Sequence, residues 1–231
     1  MNTLWCNLLR NRHEGERAVL VCNGPSLSKM DMSFLKNEIV IGLNKIHLGF
    51  NKFRFYPKYY VAVNEKVLRQ SSTEIKNLTC IKFLSNRCTE LFKDDALTHT
   101  INTRNPQNRF YTDITMGLHE GWTVTFAALQ IAFYLGFDEV VIIGMDHRYK
   151  YVGQPNEEKI IAGADLNHFS DSYFGFGQTW DNPDLENSEE SYRVAKEIYE
   201  KNGRKIIDAT LDGACEIFTK VDYKTFFNLH P

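Results

Sequence analysis

No apolar run in the 231 residues approaches the ~18 that a membrane span needs. The opening stretch, Met1 to Arg12, lacks the apolar core of a secretion signal. Charge of one sign is missing too. Lys and Arg number 27 against 29 Asp and Glu, a net charge of −2, and without a basic stripe the chain has no footprint for a nucleic acid partner. Nor is there a Cys-x-x-Cys pair. Cys6, Cys22, Cys80, Cys88 and Cys215 stand singly, which fits reduced, buried thiols in a cytoplasmic protein and excludes a disulfide framework. Internal repeats and low-complexity tracts are absent.

What is present reads as an α/β protein. A chain of this length buries roughly 70–75% of its unfolded surface, so it can build a core without disulfides or metal. Ala18–Cys22 is a short apolar run stopped by Asn-Gly-Pro, the pattern of a strand buried on both faces. Glu38–Leu43, Tyr59–Val63, Cys80–Leu84, Glu139–Ile143 and Lys205–Asp208 repeat it. Between them, Thr123 to Leu135 is apolar almost all round and stops at Gly136, so it reads as a helix packed on a sheet. A second helix is expected from Ser188, as N-cap, to Lys201, with Gly203 as its stop. Strands alternating with helices imply a mostly parallel, Rossmann-like sheet with helices on both faces, in one domain spanning 1–231. The segment 145–187 lacks periodicity and is rich in Gly, Asp, Asn and aromatics. It is far longer than an ordinary loop and is expected to form an ordered lid.

In open α/β sheets, ligands bind beyond the carboxyl ends of the strands. Asn23, Asn44, Asn64 and Asp146 all fall at such ends. In the first turn, Gly24 permits close approach to the backbone, Pro25 sets the turn, and Ser26 with nearby N–H groups suits a phosphate; a plain Asn-Gly-Pro turn would give the same pattern. It is neither a Walker loop nor a G-x-G-x-x-G. The helix start at Thr123 is a second candidate anion site, equally explained as a cap. Gly144, Asp146, Arg148 and Tyr149 follow the most apolar strand and form a candidate substrate or acid–base cluster. His168, in Asp165-Leu-Asn-His168, is a candidate base for a hydroxyl nucleophile. That spacing, with Asp146 and His147, also permits a metal site. Lys and Arg at 45–58 read as a solvated face or an interface, and Asp94-Asp95 as a solvated pair. The aromatics from Phe50 to Tyr60 read as a membrane-proximal or subunit surface, which leaves peripheral membrane contact and a homo-oligomer open.

Val21-Cys-Asn-Gly-Pro-Ser-Leu27 resembles the first motif of bacterial CMP-sialic-acid-dependent sialyltransferases and of an MptE-like group of polysaccharide-biosynthesis proteins. The stretch Gly121–Asp146, a helix followed by a strand ending in Gly-x-Asp, is similar to that group's second block. The two blocks cover about a sixth of the chain. The resemblance implies a GT-A-like variant of the α/β fold and a metal-independent glycosyltransferase without a cofactor. Its partners would be a CMP-type nucleotide-sugar donor and a glycan or lipid-linked acceptor. It further implies that Asn23, Gly24 and Ser26 contact the donor phosphate or sugar. Asn44 and Asn64 would hold the nucleotide and sugar, Thr123 and Asp146 would lie around base, ribose and phosphate, and His168 would be the general base. The tyrosine expected two residues after the aspartate is Arg148 here, with Tyr149 next. The same group contains a Mg²⁺-dependent 6-hydroxymethylpterin pyrophosphokinase, which is the rival reading; a non-catalytic nucleotide-binding subunit is a third.

Overall fold

The computed structural model describes residues 8–104 and 107–229; Cys6 and the first seven residues of the opening stretch lie outside them. Eight strands form one all-parallel sheet. In chain order the strands among the described residues are β1 (Arg17–Val21), β2 (Ile39–Leu43), β3 (Tyr59–Ala62), β4 (Ile81–Ser85), β5 (Thr98–Ile101), β6 (Thr103–Arg104), β7 (Leu118–His119), β8 (Glu139–Ile143), β9 (Glu158–Ile160), β10 (Thr179–Asp181), β11 (Lys205–Asp208) and β12 (Thr219–Lys220). The sheet order is β12-β11-β8-β1-β2-β3-β4-β5. The chain steps outward from β1 to β5, then returns to β1's other side with β8, so the strand order reverses between β1 and β8.

Both faces of the sheet are covered, which is why its inner strands are continuously apolar. Ala18, Leu20, Ile41, Leu43 and Val61 point to one core, and Val19, Val21, Val40, Tyr60 and Ala62 to the other. That is the period-two alternation of pleated backbone. The helices that lie wholly within the described residues are α1 (Phe50–Phe53), α2 (Glu65–Gln70), α3 (Ser72–Lys76), α4 (Val124–Leu135), α5 (Leu185–Lys201) and α6 (Tyr223–Phe226). The first core is roofed by α4 and α5, which contribute Phe126, Leu129, Ile131, Tyr192 and Tyr199. The second is roofed by short pieces: two 3₁₀ turns between β1 and β2, α1, α2 and α3, and by lid residues.

Thr123 caps α4 by accepting from the Thr125 N–H, and Gly136 ends it with φ of 94°, as the sequence predicts. The second helix starts earlier than expected. Its N-cap is Asp184, which accepts from the Asn187 N–H, and Ser188 lies inside the helix; Gly203 follows its end with φ of 70°. Strands β5 and β12 carry no apolar run and were not expected. They are the sheet's edges, paired on one side only.

Three surface expectations are corrected. Lys45 is 3% exposed, not part of a solvated face. Asp95 pairs with the fully buried Lys82 at 3.1 Å, so it neutralises a core charge. Phe53, Phe55, Tyr59 and Tyr60 are buried, leaving Tyr56 as the exposed ring of that stretch. Cys22, Cys80, Cys88 and Cys215 are free and buried. Among the described residues no helix is long and apolar enough to cross a membrane.

Candidate functional site

The carboxyl ends of β1, β2 and β8 open into a recess of about 90 Å³, at the reversal point where this sheet type binds ligands. Asn23, Gly24, Asn44, Thr123, Gly144, Asp146, Arg148, Tyr149 and His168 all line it. A larger cleft of about 710 Å³ shares Asn44, Thr123, Tyr149 and His168 with the recess and adds Asn64, Lys66, Trp122, Phe174 and Trp180. Ser26 lines neither; it lies behind the recess, bonded to Asp146.

The β1 turn and the β8 end are locked together. Asp146 accepts from the Ser26 N–H at 2.9 Å and from the Ser26 hydroxyl at 2.6 Å. Gly24 makes room for this: a Cβ there would sit 1.9 Å from Asp146 Oδ2 and 2.7 Å from the Gly144 carbonyl. Gly144 has φ of 70°, and a Cβ on it would meet the Leu27 side chain at 2.6 Å. Burial pushes the Asp146 carboxyl above its ordinary range, against the two Ser26 hydrogen bonds that favour its charged form.

The asparagines divide between structural and open roles. Asn23 donates from Nδ2 to the Leu43 carbonyl at 3.1 Å, which fixes its amide and leaves Oδ1 buried without a donor. Asn44 sits at φ of 46°, and its Oδ1 also lacks a donor. Asn64 caps α2 by accepting from the Val67 N–H at 3.2 Å. Trp122 and His147, with φ of 62° and 54°, join Asn44 in the left-handed region. Such strain in bulky residues concentrates at functional sites.

The lid is ordered. Its β9 and β10 pair antiparallel, and Phe169, Tyr173, Phe174 and Trp180 are buried in the second core. Phe169 N–H donates to the Asn23 carbonyl at 2.9 Å, which ties the lid to the β1 turn. His168 then lines both cavities. Its Nδ1 lies 2.8 Å from Asp165 Oδ2, and its ring stacks on Tyr173 with centroids 3.8 Å apart. Burial acts to raise the Asp165 carboxyl, but the hydrogen bond and charge of His168 and the Asn167 N–H outweigh it, so the group sits below its ordinary range. An ionised carboxylate only accepts, so in the neutral ring Nδ1 carries the proton and Nε2 is the basic nitrogen.

The remaining candidates take other partners. His147 Nε2 lies 3.0 Å from Glu189 Oε1, and Arg148 donates to the Asp212 carbonyl at 2.7 Å. Burial pushes the Cys22 thiol up to about 12, which makes it a packing residue rather than a nucleophile. Asp165 and His168 bond each other, whereas Asp146 is taken by Ser26 and His147 by Glu189; among the described residues there is no group of three or more potential metal ligands. The sequence reading missed Lys45, Lys66, Tyr173 and Trp180 as site residues. Lys66, which bridges Glu158 and Asp181 of the lid, gives no local signal, since its partners lie far along the chain.

The chain's fold is similar to that of the MAf glycosyltransferase from Magnetospirillum magneticum AMB-1, with a TM-score of 0.57 and 15% identity. The match covers 95% of this chain and 35% of that one, so the protein spans about a third of the length of that structure. No curated protein matches it. Residues 2–152, about two thirds of the chain, match the family described as 6-hydroxymethylpterin diphosphokinase MptE-like. The chain belongs to that MptE-like family.

Proposed function

We propose that the protein is a cytoplasmic glycosyltransferase that moves a sugar from a CMP-type nucleotide donor to a glycan or lipid-linked acceptor, without a metal, with His168 as general base. The observation that carries this reading is the Asp165–His168 pair: His168 lines both the recess at the sheet's reversal point and the larger cleft beside it, and its hydrogen bond to Asp165 leaves Nε2 as the ring's accepting nitrogen. His168 Nε2 takes the acceptor's hydroxyl proton as that oxygen attacks the anomeric carbon. The bond from that carbon to the donor phosphate breaks, and the nucleotide leaves with the electron pair. Asp165 holds the ring in the productive tautomer and stabilises the imidazolium. The recess takes the nucleotide, with Asn23 and Asn44 offering acceptors to its N–H or O–H groups. Because Asp146 already occupies the Ser26 donors, the donor phosphate is better served at the start of α4 and by Arg148.

The family description favours a second reading, a Mg²⁺-dependent pyrophosphokinase acting on a hydroxymethyl-pterin. Thermal unfolding with CMP and with ATP, each with and without Mg²⁺, separates the two. A ligand at 100 times its Kd adds about 2.7 kcal/mol, which moves the midpoint of a chain this size by roughly 5–10 °C. A shift with CMP that ignores Mg²⁺ supports the transferase and directs a screen of CMP-sugars. A shift only with ATP and Mg²⁺ overturns it.

A further inference from the structure

Lys45 follows Asn44 at the end of β2 and is buried beneath the lid. Its ammonium donates to three neutral oxygens: the Tyr173 carbonyl at 2.8 Å, Gln178 Oε1 at 3.0 Å and Gln70 Oε1 at 3.1 Å. Two of these belong to the lid and one to α2. The ammonium also lies over the Phe174 ring, 4.6 Å from its centroid, and the Lys45 N–H reaches the Tyr173 hydroxyl at 3.4 Å. Gln70 completes the fastening by donating to the Thr179 carbonyl at 3.1 Å.

A buried ammonium that forms no ion pair among the described residues is costly, although the charges of Asp165 and Glu74 act in its favour. Burial pushes it down to about 8. An apolar side chain would fill the same space at lower cost, so what the ammonium adds is direction. Three donors on one point charge fix three acceptors, and those acceptors set the height and tilt of Tyr173. The His168 ring stacks on Tyr173 with an interplanar angle of 1°, so the base inherits that placement.

We propose that Lys45 is the positioning residue of the lid base: by holding Tyr173 and Gln178 against Gln70, it sets where His168 meets the acceptor hydroxyl. The inference rests on the transferase reading for its kinetic consequence, not for its structural one. Arg cannot substitute, because a planar fork does not aim at three oxygens converging on one point.

The test compares the wild-type protein with Lys45→Met and Lys45→Arg, by transfer kinetics with a CMP-sugar and by amide hydrogen exchange. Both variants are expected to lower kcat at least tenfold with donor KM within twofold. Amides of 165–178 should exchange at least tenfold faster, with those of β1 and β8 unchanged. Gln70→Ala, which keeps the lysine and removes one acceptor, should give a smaller change in the same direction and stands in if the lysine variants do not fold. Unchanged kcat and unchanged lid exchange overturn the proposal, as does a rise in donor KM with kcat intact. If the wild type transfers no sugar, the transferase reading fails by itself; faster lid exchange in the variants then still upholds Lys45 as the lid's anchor, and unchanged exchange removes it.

Discussion

Asp146 and Ser26, 120 residues apart, form a two-point contact in which one carboxylate takes both the backbone N–H and the hydroxyl of the serine. The contact joins the ends of β1 and β8 at the reversal point, and Asp146 lines the recess there. It stands only because Gly24 has no side chain.

Gly24→Ala should therefore destabilise the fold strongly. Its Cβ would overlap both the Asp146 carboxylate and the Gly144 carbonyl, and overpacking of this kind costs about 3 kcal/mol. Asp146→Ala leaves the Ser26 donors unpaired and should cost about 1–3 kcal/mol. The double variant should lose less than the sum, since Asp146→Ala removes the nearer of the two clashes. Urea unfolding of the four proteins measures the coupling; strict additivity would show that the turn and the carboxylate do not meet as described.

His168→Ala should lower turnover by ~10²–10⁴, the usual contribution of a general base, while the CMP-induced thermal shift persists. Asp165→Asn should approach the same loss. An asparagine can donate to Nδ1 and hold the ring in the wrong tautomer, with the proton on Nε2. Initial-rate kinetics on both variants decide the matter, and wild-type turnover in His168→Ala would remove it from the mechanism.

Asp165 also makes stability depend on pH. Its folded-state pKa lies below the ordinary 3.8, so its contribution is present above 3.8 and is lost as pH falls through the lowered value. Hydrogen bonds to a charged group contribute about 1.5–3 kcal/mol. The stability gap between wild type and Asp165→Asn should hold from pH 7 to 5 and shrink below 3.8. Denaturant midpoints across that range provide the check; a gap that widens on acidification would reverse the sign assigned here.

The sheet was legible because its strands are buried on both faces, so apolarity runs unbroken through Val19, Leu20 and Val21. Thr98–Ile101 was not legible, because an edge strand with three half-buried residues carries no such run. The recess was legible as a set of strand-end residues, since topology delivers every strand end to one side. The pairings were not. Nothing near Lys45 in sequence announces that Gln70, Tyr173 and Gln178, from 25 to 133 residues away, will supply its oxygens. The Lys and Arg at 45–58 read together as a solvated face or an interface. Asp165 was visible three residues before His168, but its role depends on the lid folding that carboxylate inward.

Lys45 also makes stability depend on pH, with a sign opposite to that of a surface lysine gaining a partner. Its folded-state pKa is lowered to about 8 from 10.5. Between those values the unfolded chain binds a proton that the folded chain does not, so stability rises with pH across the window. At 1.36 kcal/mol per unit, wild type should gain about 3 kcal/mol relative to Lys45→Met between pH 8 and 10.5. Comparing the two proteins cancels the other lysines and tyrosines that titrate there. Urea unfolding of both at pH 7, 8, 9 and 10 reads the difference. A gap independent of pH would mean that the ammonium keeps its proton throughout, held by its three oxygens more strongly than burial opposes it.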